Sequence, residues 1–141
     1  MAMPERKRVA ERLHSAALHL LRRLREVDAG AAVGPARLSV LSVLVFGGSA
    51  TIGDLAAMEH VRPPTMSKIV SGLEELGLVT RRPGSDRRAV ILAVTAAGRK
   101  LLLQARDRRL ERFSAMLASA TPGELTTLEK SSAILERLLN R

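Results

Sequence analysis

Apolar residues fall at helical spacing over most of this chain, and they cluster with β-branched residues in one short stretch of its middle. From Glu5 to about Val27, the residues Val9, Leu13, Ala16, Ala17, Leu20, Leu21 and Leu24 lie close to a/d spacing. The segment therefore reads as an amphipathic helix whose stripe wants a partner. A loop rich in Gly and Ala covers 28–34. Pro35 then opens a second helix carrying Leu38, Leu41, Leu44 and Val45, which ends at Gly47 and Gly48. Phe46, near that end, is expected to help close the core beneath the elements that follow.

Thr51 is placed to cap a short helix, with Asp54 three residues on, where a capping-box carboxylate reaches back to free backbone donors. Ile52, Leu55 and Ala56 give that helix one apolar side. Glu59, His60 and Val61 connect it to the next, with Val61 tucked under both. The next helix starts at the double proline 63–64 and has its end marked by Gly77. At 3.6 residues per turn, Met66, Ile69, Val70, Leu73 and Leu76 share one side, the pattern of a helix packed on a core. Leu78 to Arg82 and Ala89 to Val94 read as strands around the turn formers Pro83, Gly84 and Ser85. Thr95 caps a long helix from about Ala96 to Ser119, with a break at Ala120. Thr121, Pro122 and Glu124 then form a second cap, first-turn proline and capping-box acid, and Leu125, Leu128, Leu135, Leu138 and Leu139 stripe a last helix.

The side of the 63–76 helix opposite its apolar residues carries Pro64, Lys68, Ser71 and Glu75, flanked by Thr65, Ser67 and Gly72. Taken alone it is an ordinary solvated face. It also has what a helix entering a major groove needs: short side chains for close approach, and hydroxyl or ammonium groups for phosphates and base edges. The hairpin that follows decides between these readings, because Arg81, Arg82, Arg87 and Arg88 share it with only Asp86. A basic hairpin directly after a groove-shaped helix face predicts a winged helix-turn-helix.

Charge agrees with that reading. The 141 residues hold 23 Lys and Arg against 14 Asp and Glu, a formal net charge of +9. So basic a protein favours a polyanion, of which nucleic acid is the commonest and a membrane surface the rival. With no Cys, thiolate metal sites, disulfides and cysteine redox switches are excluded. Two Phe are the only aromatic residues, which argues against readers that stack single-stranded bases. No apolar run is long enough to span a bilayer and the N-terminus has no apolar signal region, so a cytoplasmic protein with no membrane partner is expected.

The stretches PPTMSKIV, SGLEELGLVTRR and DRRAVILAVT, with ARLSVLSVL upstream and TAAGRKLL downstream, resemble the multiple antibiotic resistance regulator (MarR) family of bacterial transcription factors. The resemblance is clear over 35–103. It implies a mainly α fold with a small β-hairpin: one MarR-type domain over 1–141, its winged helix-turn-helix at about 35–95 between dimerisation helices at about 5–27 and 96–141. The apolar stripes alone allow an intramolecular bundle, whereas the resemblance implies helices interdigitated with those of a second subunit. It further implies a homodimer on palindromic double-stranded DNA operators, acting as a repressor and answering to a small apolar or anionic effector. On this reading Thr65, Ser67, Lys68 and Ser71 make major-groove contacts. Arg88 enters the minor groove, oriented by Asp86, and Arg81, Arg82 and Arg87 grip phosphates. A non-specific architectural DNA binder shares the charge and is the alternative.

No other chemistry is expected. His14 and His19 are five apart and do not share a helix face, and His60 stands alone in a turn, so neither a metal nor a cofactor is predicted. No nucleophile elbow, phosphate-binding Gly loop or HExxH motif is present, so the chain is not expected to be an enzyme.

Overall fold

The computed structural model describes residues 3–86 and 89–140. In chain order the elements are α1 (Met3–Asp28), α2 (Pro35–Gly47), β1 (Ala50–Thr51), α3 (Ile52–Met58), α4 (Pro63–Glu75), β2 (Val79–Pro83), β3 (Val90–Val94), α5 (Ala96–Met116), a 3-10 turn (Leu117–Ser119) and α6 (Pro122–Leu139). They fall into two compact units, Met1–Arg109 and Leu110–Arg141. Among the described residues no helix is long and apolar enough to cross a membrane.

In the first unit, α2, α3 and α4 pack on one face of a three-stranded antiparallel sheet of order β1-β3-β2. The core joins Leu38, Val40, Leu41 and Leu44 of α2 to Leu55 of α3 and to Met66, Val70 and Leu73 of α4, with Leu92 of β3 and Leu102 of α5. Val61 packs against this cluster from the turn between α3 and α4. The hairpin register pairs Val79 with Val94 and Pro83 with Val90. Its outer partner is a strand absent from the sequence reading: Ala50 and Thr51 pair with Leu92 and Ile91. Two residues of ladder give no periodicity to read.

Local chemistry explains the element ends. Thr51 and Asp54 form a complete capping box: Asp54 N–H donates to Thr51 Oγ1 and Thr51 N–H to Asp54 Oδ2, both at 3.1 Å. The turn after α3 is closed by Val61 N–H donating to Ala56 O at 3.0 Å, with His60 at φ 54. The same arrangement ends α4, where Leu78 N–H donates to Leu73 O at 2.9 Å and Gly77 takes φ 71. Both are Schellman closures, but only the second has the glycine that the left-handed position favours.

Two expectations about the core need correction. Phe46 does not close it: the side chain is 63% exposed, with Arg106 Cζ 5.9 Å from the ring centroid. It lies two residues beyond Leu44, about 200° further round the helix, and so leaves the buried face. Leu76 is also outside, 53% exposed, because it caps α4 where the chain turns away. Leu78 and Val79, past the turn, take the buried place instead.

The second unit holds the end of α5, the 3-10 turn and α6. Thr121 and Glu124 cap α6 reciprocally, with Thr121 N–H to Glu124 Oε2 at 2.8 Å and Glu124 N–H to Thr121 Oγ1 at 3.2 Å. Leu125, Leu128, Ile134 and Leu138 of α6 are exposed, as are Val9, Leu13, Leu18 and Leu21 of α1 in the first unit.

Candidate nucleic-acid interface

Two neighbouring elements, α4 and β2, build one exposed cationic surface. The helix α4 buries Met66, Val70 and Leu73, which turns Thr65 and Lys68 outward and leaves Ser67 and Ser71 half-buried at the edges. Beside it, β2 buries Val79 and exposes Thr80, Arg81 and Arg82. The wing turn is fixed by Gly84 N–H donating to Ala89 O at 2.8 Å and Ala89 N–H to Asp86 O at 3.0 Å, with Asp86 exposed. Arg87 and Arg88, the remaining wing arginines of the sequence reading, lie outside the described residues.

The surface is not a uniform row of free cations. Arg81 Nε donates to Glu74 Oε2 at 3.0 Å and Arg81 Nη2 to Ser71 Oγ at 3.3 Å, so two of the sequence-derived contact residues bond to each other and one of them is held by a carboxylate. Glu74 gives no local signal in the sequence, because it lies on α4 and the arginine it holds lies on β2. On the other flank of α4, the Arg37 guanidinium of α2 packs over Gly72. Its one local signal was a glycine in a helix interior, where it costs about 1 kcal/mol against alanine and marks close approach.

This helix, turn, helix and basic hairpin can be set beside known proteins. A model of the MarR family matches residues 33–89. An HTH-type transcriptional regulator of Mycobacterium tuberculosis is 33% identical over 134 residues, 94% of each chain. The chain belongs to the MarR family.

Its fold is similar to that of a MarR-family protein from Bacillus stearothermophilus, which it matches with a TM-score of 0.86 at 21% identity over 100% of this chain and 99% of the other. NadR, solved in complex with 4-hydroxyphenylacetate, matches with a TM-score of 0.68 at 26% identity over 90% and 91% of the two chains. The MarR membership makes the protein a DNA-binding transcriptional regulator with a winged helix-turn-helix, as its sequence led one to expect.

Proposed function

We propose that the protein is a sequence-specific repressor that binds palindromic operators as a homodimer and releases them on binding a small apolar or anionic effector. The observation that carries the reading is the outward face of α4, with Thr65 and Lys68 exposed beside the exposed Arg82 of β2. In the bound state Thr65, Ser67, Lys68 and Ser71 meet base edges and phosphates in the major groove, while Arg81, Arg82 and Arg87 grip the backbone. Arg88, oriented by Asp86, enters the minor groove, whose potential is most negative where A·T tracts narrow it.

The homodimer is supported by apolar side chains left exposed on α1 and, separately, on α6. A two-fold dimer offers two reading helices to half-sites one helical turn apart, which is why an operator that fits it is palindromic. Effector control is supported by the ligand in NadR. In this chain a surface cleft of about 390 Å³ beside α5, with Lys100, Gln104 and Arg108 on its walls, has the charge to hold a carboxylate. With no Cys, sulfenic acid or disulfide chemistry is closed to it as a release mechanism.

The test is selection of bound fragments from bacterial genomic DNA, followed by affinities for selected and random duplexes at one salt concentration. A preference of about a thousandfold or more is expected of a specific regulator. Equal affinity for both would overturn the reading in favour of an architectural role.

A further inference from the structure

We propose that Arg37 is a phosphate-contacting residue of the DNA interface, its guanidinium lying on the flank of α4 in the space that Gly72 leaves open. The inference rests on the reading of α4 as the helix that enters the major groove. The guanidinium lies so close over Gly72 that a Cβ there would stand 2.8 Å from Arg37 Cζ and 3.1 Å from Nε, and closer still to Nη2. No side chain but hydrogen is compatible with that placement. The glycine thus gives up helix propensity and leaves room for a cation close against the reading helix.

Charge pairing separates the two guanidinium groups beside α4. Arg81 is paired with Glu74 and Arg109 with Asp28, whereas none of the ion pairs among the described residues involves Arg37. Its side chain is half-buried, and it lines a surface cleft of about 400 Å³ together with Lys68, Ile69 and the first residues of α2. Two cations thus border one cleft with no anion between them. A guanidinium offers five donors and no acceptor, and a phosphodiester is the group its planar fork fits best.

The placement around α4 supplies the geometry. Gly72 lies about 40° to one side of Lys68 and Ser71 about 60° to the other, at 100° per residue. Arg37 therefore flanks the exposed ridge on one side and Arg81 on the other. A helix in the major groove has a phosphate backbone along each border, so the flanks are where cations meet phosphates and the ridge is where bases are read. Of the two flanking guanidinium groups, Arg81 must leave a carboxylate to take a phosphate, and Arg37 need not.

The experiment measures binding of wild type, Arg37→Gln, Arg37→Lys, Gly72→Ala and Lys68→Ala to a random-sequence duplex and to fragments selected from genomic DNA, across a salt series. Arg37→Gln should lose about tenfold in affinity at moderate salt on both duplexes and lower the slope of log K against log salt by about 0.9 for each protomer bound, about 1.8 for a homodimer, with the preference between duplexes unchanged. Arg37→Lys should restore the slope. Gly72→Ala should displace the guanidinium from its place over α4 and weaken binding by no more than Arg37→Gln does. If Gly72→Ala fails to fold by circular dichroism, the two Arg37 variants decide alone. An Arg37→Gln slope equal to wild type overturns the proposal, and so does a loss confined to the selected fragments, which would mean base reading. An unchanged slope with lost sensitivity to added salicylate would assign Arg37 to a small-anion site and overturn it too. If Lys68→Ala is equally silent, the reading of α4 has failed; if Lys68→Ala weakens binding while Arg37→Gln does not, only this proposal has.

Discussion

Glu74 holds the Arg81 guanidinium at 3.0 Å on the flank of the reading helix, with both side chains partly exposed. A pair this open contributes at most about 1 kcal/mol to stability. Its larger effect is on binding: a carboxylate at the edge of the interface repels phosphates and occupies the cation that would meet them.

Glu74→Gln should therefore strengthen binding to any duplex and steepen the salt dependence by about one unit for each protomer bound, at little cost in stability. The gain should be equal on selected and random sequences, because a phosphate contact carries no base code. Filter binding across a salt series checks it, and weaker binding by Glu74→Gln would contradict the assignment of Arg81 to the DNA face.

Asp28 ends α1 and is bound through both oxygens by Arg109 of α5, Nε at 2.6 Å and Nη2 at 2.8 Å. The Asp28 side chain is 8% exposed and that of Arg109 31%. Losing the buried carboxylate's partner should cost more than losing the wetter arginine's, so Arg109→Leu is expected to destabilise by about 2–3 kcal/mol and Asp28→Leu by about 1–2. Urea unfolding of both single variants and the double, read as a cycle, isolates the pair.

His60 occupies the left-handed position that Gly77 fills at the end of α4. A non-glycine residue there is strained by about 1–2 kcal/mol, of which glycine recovers a part after its own entropy cost. His60→Gly should stabilise by about 0.5–1 kcal/mol, visible as a raised urea midpoint at constant slope.

The Thr51 backbone N–H, and secondarily its hydroxyl, hold the Asp54 carboxyl below the usual aspartate range. Because the folded value is depressed, Asp54 contributes stability that is present above its unfolded value and lost as pH falls through the folded one. The stability difference between wild type and Asp54→Asn should therefore be constant near neutrality and shrink on acidification through and below that range. Unfolding free energies along a pH series check the sign.

Removal of residues 121–141 takes away α6 with its exposed Leu125, Leu128 and Leu138. If these side chains meet a second copy of the chain, the truncated protein should sediment as a monomer and lose operator affinity by the effective concentration that linked half-sites provide. A soluble truncated monomer with unchanged affinity would refute the dimeric arrangement.

What the sequence made legible was whatever local chemistry determines. Both capping boxes, the proline-opened helices, the glycine end of α4 and the hairpin could be read from residues a few positions apart, and each stands in the fold. What escaped depended on contacts between distant segments. The β1 ladder to β3, the Asp28–Arg109 pair, and the Arg37 guanidinium over Gly72 join residues 35 or more apart, with no periodic trace in either partner. Of the proposed interface, the ridge of α4 was visible as a helical face, while the pairing of Arg81 was not, since Glu74 lies on a different element.

Thr95 ties three elements through one side chain. Its hydroxyl donates to Gly77 O at 2.7 Å and accepts from Gly98 N–H at 3.1 Å, while its own N–H donates to Leu78 O at 3.0 Å. The Gly77 carbonyl, just past the end of α4, and the Gly98 amide in the first turn of α5 are thus one oxygen apart. Gly98 sits flush against the Leu78 carbonyl, so there is no slack through which the two helices could slide. The joint therefore fastens the end of the reading helix to the start of α5 through a single methyl-bearing hydroxyl at residue 95.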